Sequence, residues 1–160
     1  MEDPSVEVTG CGPEAAEDVH RLTQLAFAAY GWMTPPSGAL RETVDVVRRD
    51  LEEGGGAIAS LAGRAVGALR LVSEPGSLEV RRVAVEPAFQ RRGIGAALMA
   101  WAREEAGRQG CGELTVNVRL QLPGNRAFYE RLGYRVVAEH PHPLDPRGRS
   151  YEMRLQVRPT

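Results

Sequence analysis

The stretch from Leu78 to Trp101 constrains the fold more than any other part of the chain. It runs through a strand, a turn, a glycine loop and an amphipathic helix without a break. Leu78, Val80, Val83 and Val85 alternate as strand residues do, but the alternation changes phase across Arg81-Arg82. Strand side chains repeat every two residues, so a phase change inside one strand predicts a β-bulge. Glu86-Pro87-Ala88-Phe89 then turns the chain into Gln90-Arg91-Arg92-Gly93-Ile94-Gly95, and Ile94, Ala97, Leu98 and Trp101 mark one face of the helix that follows. Glycines let backbone N–H groups approach an anion, and the helix start adds the positive end of its dipole. Arg91 and Arg92 add charge beside those donors. Such a loop suits a pyrophosphate. It is not a dinucleotide fingerprint, because Leu98 stands where the third glycine belongs. Nor is it a triphosphate loop, because no Lys-Ser/Thr follows the glycine.

The remaining segments predict the elements around this unit. Val6 to Thr9 reads as a short strand. Pro13 opens a helix with Glu14, Glu17 and Asp18 in its first turns and Val19, Leu22, Ala26 and Ala29 at helical spacing. Ser37 is expected to cap a second helix along Leu40, Val44, Val47 and Leu51, stopped by Gly54-Gly55-Gly56. Ala57 to Leu61 and Ala65 to Val72 read as a hairpin turning at Gly63-Arg64, and Pro75-Gly76 leads into the bulged strand. Leu114, Val116 and Val118 mark another strand, and Pro123-Gly124-Asn125 starts a helix ended by Gly133. Tyr134 to Ala138 and Tyr151 to Val157 are the last strands. Strands and helices mix without strict alternation, which points to an α/β (α+β mixed) fold, one mixed sheet covered by helices. A length of 160 residues fits a single domain over residues 1–160.

Composition narrows the chemistry. The chain has no lysine, so a Schiff base, a pyridoxal phosphate anchor and a phosphate-loop lysine are excluded. A net charge of −1 gives no electrostatic footprint for nucleic acid or an anionic membrane. Cys11 and Cys111 form neither a metal-spaced cluster nor a disulfide framework, which suits free thiols in a reducing cytoplasm. The acidic start Met1-Glu2-Asp3-Pro4 leads into no apolar segment of signal length, and no run of ~18 apolar residues exists for a membrane span.

With these residues in view, the chain resembles the GNAT superfamily of N-acetyltransferases. The family hallmark, Gln/Arg-x-x-Gly-x-Gly/Ala, is matched by Gln90-Arg91-Arg92-Gly93-Ile94-Gly95, preceded by Arg82-Val83-Ala84-Val85. A second family block is matched by Asn125-Arg126-Ala127-Phe128-Tyr129-Glu130-Arg131-Leu132-Gly133-Tyr134. The close resemblance runs from Leu78 to Tyr134. It implies a mixed, mostly antiparallel sheet of six to seven strands with about four helices on its faces. It implies acetyl-CoA as cosubstrate, an amine as acceptor and no metal, and homodimers are frequent in the family. The family's bulged strand splays from its neighbour and holds pantetheine in the gap, here through the backbone of Val83, Ala84 and Val85. Gln90 and the amides of Arg91, Arg92, Gly93, Ile94, Gly95 and Ala96 would take the pyrophosphate, and Asn125 matches a further coenzyme-binding position.

The resemblance also implies catalytic residues. Tyr129 matches a tyrosine near the thioester sulfur, where a phenol can protonate the departing thiolate. The alternative is a tyrosine packed on the sheet with its hydroxyl in solvent. Glu79 stands where many members place a general base, and an alkyl ammonium of pKa ~10.4 must lose a proton before attack. The alternative is a glutamate paired with Arg81 or another arginine; Glu152 is a lesser candidate base. His140 and His142 flank Pro141 in a loop that can reach the mouth of a site, with no third metal ligand nearby. Trp32, between the first two helices, is expected either to wall the acceptor site or to plug the core. Two other functions stay open: a coenzyme-sensing module without catalysis, and acyl transfer to amino groups carried on tRNA.

Overall fold

The computed structural model describes residues 5–158; the N-terminal Met1–Pro4 stretch considered above lies outside them. One seven-stranded sheet organises the chain. Its strands are β1 (Val6–Cys11), β2 (Gly56–Leu61), β3 (Arg64–Glu74), β4 (Ser77–Val85), β5 (Glu113–Arg119), β6 (Arg135–His140) and β7 (Ser150–Gln156), in the order β1-β2-β3-β4-β5-β7-β6. Every pairing is antiparallel except β4 with β5. Four helices cover it: α1 (Ala16–Phe27), α2 (Val44–Gly54), α3 (Ile94–Arg108) and α4 (Pro123–Arg131). The mixed, mostly antiparallel architecture is therefore as expected.

The first three helices bury most of the face their spacing predicts, while α4 buries Tyr129 and leaves Phe128 and Leu132 half-buried. Val19 and Leu22 of α1 meet Val47 and Leu51 of α2 over Ala68 on one side of the sheet. On the other side, Ile94, Leu98, Met99 and Ala102 of α3 pack with Leu69, Leu114 and Met153. Full burial of such side chains contributes ~1.5–3 kcal/mol each. Gly54 lets α2 land on the sheet, since a Cβ there would lie 1.9 Å from the Leu71 carbonyl oxygen.

Three local expectations need correction. Ser37 caps a separate 3-10 helix, Gly38–Arg41, by accepting from the Ala39 N–H, while α2 starts later with Thr43 accepting from Val46. The spacing of Leu40, Val44, Val47 and Leu51 suits one continuous helix, but Glu42 and Thr43 are extended. The Glu42 carboxylate is drawn instead to the buried Arg70, at 2.7 and 3.1 Å. The β2–β3 turn sits at Ala62-Gly63, the two residues with positive φ, rather than at Gly63-Arg64. α1 ends at Phe27 and a 3-10 turn follows, which leaves Ala29 exposed.

Candidate active site

The sheet opens where the bulge lies. β4 and β5 pair from Ser77↔Glu113 to Glu79↔Thr115 and no further. Beyond that point β4 stays with β3 as far as Val85↔Gly67, and β5 stays with β7 as far as Arg119↔Ser150. The backbone edge of β4 that faces β5 therefore has no strand partner from Val80 to Val85. The register shift between Ala68↔Ala84 and Arg70↔Arg81 places one extra residue on β4, as the phase change predicts. Arg82 takes it up with φ 53°, a conformation costing ~1–3 kcal/mol for a residue with a side chain. Its guanidinium is anchored to Glu42 at 3.3 Å and to the Ser37 hydroxyl at 3.4 Å. Glu42 is held in turn by Arg70, whose side chain is buried and also pairs with Asp50 at 2.9 Å. Removing one member of such a buried pair costs ~3–5 kcal/mol, so the bulge is tied to the wall formed by the α1–α2 connection.

The splay opens into a cleft of about 670 Å³. Next to α4, where a Cβ on Gly95 would lie 3.4 Å from the Phe128 ring, Gly93 caps α3 in the left-handed region, φ 77°, with no side-chain cap and no acidic residue in the first turn. The first intrahelical bond runs from Ala97 N–H to the Gly93 carbonyl. The N–H groups of Ile94, Gly95 and Ala96 thus lack helical partners, as at any helix start. By contrast α1 carries Glu17 and Asp18 in its first turn, and α2 carries Asp45 with a Thr43 cap. Unlike these two, α3 has an N-terminus left bare, with arginines immediately before it. Arg91 and Arg92 are exposed, and Arg64 and Arg92 stack on the Phe89 ring at 5.0 and 5.4 Å. Gln90 points back instead: its amide donates to the Val85 carbonyl at 3.3 Å, so it braces the loop on β4. Val83 lines the cleft, whereas the Ala84 side chain faces the core, leaving Ala84 only its backbone to offer.

Tyr129 and Asn125, both on α4, line the same cleft. The Tyr129 ring is 8% exposed, edge-on to Phe128 at 5.0 Å and to Tyr134 at 5.6 Å. Its hydroxyl has no hydrogen bond to any described residue. Burial, with the Tyr30 phenol adding to it, pushes the Tyr129 phenol well above its ordinary value, so it keeps its proton. Glu79 sits at the apex of the splay and is buried. Its Oε1 accepts from Arg81 Nε at 2.8 Å and from Asn117 Nδ2 at 3.1 Å, while Oε2 has no hydrogen bond among the described residues. The arginine pairing is real, and it leaves one carboxylate oxygen uncommitted on a residue that lines the cleft.

The outer walls differ from expectation at one residue. Trp32 is 63% exposed and does not line the cleft, so it plugs no core; Met33 is buried and lines the cleft instead. The Met33 N–H bonds back to the Tyr30 carbonyl, which turns Met33 inward and its neighbour out. A flexible thioether side chain also fills an irregular wall more easily than an indole whose N–H needs a partner. His140 and His142 do reach the cleft mouth, where His142 packs on Gly148 beside Pro35. His140 bonds Glu152 at 2.9 Å, and Glu152 also pairs with Arg154 outside the cleft, which removes it as a candidate base. Among the described residues no group of three or more His, Cys, Asp or Glu side chains could hold a metal ion. No helix among them is long and apolar enough to cross a membrane. Sequence reasoning missed Asn117 and Arg119. Their signal was the polar alternate of Leu114-x-Val116-x-Val118, readable only once β5 is known to lie mid-sheet.

A family model described as acetyltransferase (GNAT) family matches residues 17–134. Among curated proteins nothing matches the sequence. Several solved structures share the fold. The ribosomal-protein-S18-alanine N-acetyltransferase from Escherichia coli superposes with TM-score 0.80 at 18% identity, over 96% of this chain and 95% of that one. Ard1 from Thermoplasma volcanium gives 0.75 at 22%, over 95% and 97%. The PaiA N-acetyltransferase from Thermoplasma acidophilum, solved in complex with coenzyme A, gives 0.75 at 17%, over 96% and 99%.

Proposed function

The chain belongs to the acetyltransferase (GNAT) family, and from that premise we propose that it passes an acetyl group from acetyl-CoA to a primary amine by direct attack in a ternary complex. The observation that carries this reading is the splay of β4 from β5. It leaves a β4 edge without a strand partner beside a protonated phenol and a carboxylate in one cleft, and the bare α3 N-terminus lies next to α4, where a Cβ on Gly95 would lie 3.4 Å from the Phe128 ring.

The residues present fit the coenzyme. The N–H groups of Gly93 to Ala96, with Arg91 and Arg92, would hold the pyrophosphate. The unpaired edge of Val83, Ala84 and Val85 would hold the pantetheine amides, and Asn125 closes the α4 side. Gln90 acts from outside as a brace. Bound acetyl-CoA supplies the activated thioester. Glu79, through Oε2 or a water on it, accepts a proton from the acceptor ammonium so that the free amine can attack the carbonyl carbon. As the C–S bond breaks, Tyr129 donates its hydroxyl proton to the leaving thiolate, the attacking nitrogen loses its second proton to solvent, and solvent restores the phenol. Neither cysteine lines the cleft, and burial pushes the Cys11 thiol up to about 11, which favours direct transfer over an acyl-cysteine route.

Thiol release by the purified protein, given acetyl-CoA and a panel of primary amines, tests the proposal. Amine-dependent release is expected. Coenzyme binding without release from any amine would point to a sensing module instead. In the same assay Glu79→Gln should lower kcat/KM by ~10-fold or more. An unchanged rate would leave Glu79 as the partner of Arg81 alone.

A further inference from the structure

Arg119 differs from the other arginines of the cleft. Among the described residues three guanidinium groups line it: Arg81, Arg82 and Arg119. Arg81 has Glu79 at 2.8 Å and Arg82 has Glu42 at 3.3 Å. Arg119 has no ion pair with any described residue. Its Nη2 donates to the Pro35 carbonyl and to Gln121 Oε1, the latter at 3.2 Å, while Nε is buried without a partner. The carboxylate whose charge reaches it is Asp145, but both Asp145 oxygens are taken by Arg147, at 3.0 and 2.8 Å. Desolvation dominates over that charge at Arg119. A guanidinium stays charged under all ordinary conditions, and Arg119 is half-buried with no carboxylate of a described residue bonded to it.

Position indicates which anion the guanidinium suits. Asn117 and Arg119 lie two residues apart on β5 and so on one face of the sheet, ~7 Å apart along the strand. Asn117 holds Glu79 at 3.1 Å. The Arg119 guanidinium, without an ion pair among the described residues, therefore stands about two residues along the strand from the proposed base, on the side walled by Met33, Pro35 and the β6–β7 loop. Arginine matches a carboxylate in planar, paired hydrogen bonds.

We infer that the acceptor is an amine carrying a carboxylate within a few bonds, as an amino acid does, and that Arg119 holds that carboxylate while the amine lies at Glu79. This rests on the acetyl-transfer reading. The fixed contacts to Pro35 and Gln121 orient the guanidinium before the acceptor arrives.

The test compares a panel of amino acids, each beside its decarboxylated amine, such as alanine with ethylamine and phenylalanine with phenethylamine. Binding to the CoA-loaded protein is measured by calorimetry, and thiol release is followed in parallel. The wild-type protein should bind the carboxylate-bearing member of at least one pair tenfold or more tightly. Arg119→Gln should bring that ratio close to one through KM rather than kcat, and Arg119→Lys should restore part of it. Equal binding within every pair, no binding of any amino acid, or an equal loss for both members in Arg119→Gln would overturn the inference. The last result would make Arg119 a strut for Pro35. Should Arg119→Gln fail to fold, the wild-type ratio and Arg119→Lys still decide. Paired binding without thiol release would sink the acetyl-transfer reading and leave the carboxylate site standing.

Discussion

Tyr129→Phe is expected to lower kcat by ~10²-fold or more while acetyl-CoA affinity changes by less than about threefold. The size of the effect follows from the leaving group. A departing thiolate gains from a proton donor at the moment the C–S bond breaks, and Tyr129 lines the cleft with its hydroxyl uncommitted to any described residue. Because burial pushes this phenol above its ordinary value, it stays protonated through the usual assay range, so its loss should not remove an ionisation from the pH profile there. Stability should change little. The hydroxyl leaves no partner among the described residues unpaired, and the ring keeps its edge contacts with Phe128 and Tyr134. Steady-state kinetics with a thermal melt check both halves. A Tyr129→Phe enzyme at full rate would return Tyr129 to a packing role.

Replacing Gly93 by leucine should abolish measurable acetyl-CoA binding with the fold intact. A Cβ at Gly93 would meet no atom within 4 Å, so the side chain has room in the free protein. The cost to folding is the left-handed conformation alone, ~1–2 kcal/mol. The same open space is where the pyrophosphate would approach the α3 N-terminus. Losing two charge-assisted hydrogen bonds of ~1.5–3 kcal/mol each corresponds to roughly 10²–10⁴ in affinity. Arg92→Glu should weaken binding less and in a salt-dependent way, since that group is exposed. Calorimetry on the folded Gly93→Leu protein decides; an unchanged Kd would remove the loop from the coenzyme site.

Features written in neighbouring residues were legible in the sequence. The bulge could be read at Arg81-Arg82 because strand side chains alternate, and an inserted residue leaves a permanent phase error. The α3 start could be read because the glycines of the loop and the arginines before them are local facts. The helix over Leu40 to Leu51 shows the limit of the same logic: its spacing was right, but a tertiary ion pair between Glu42 and Arg70, 28 residues away, holds the chain extended before Thr43.

What the tertiary structure alone decided concerns partners distant in the chain. β7 inserts between β5 and β6, which makes β5 a central strand and turns its polar face, Asn117 and Arg119, into a wall of the cleft. Glu79 meets both Arg81, two residues on, and Asn117, 38 residues on. The first contact follows from strand periodicity, while the second needs the parallel pairing of β4 with β5. Met33 rather than Trp32 faces inward because one backbone bond to Tyr30 sets the turn. Periodicity and backbone handedness are properties of a segment, so residue order determines them. Which charge remains without a counter-ion among the described residues, as at Arg119, depends on every carboxylate the fold brings near, and only the folded chain settles that.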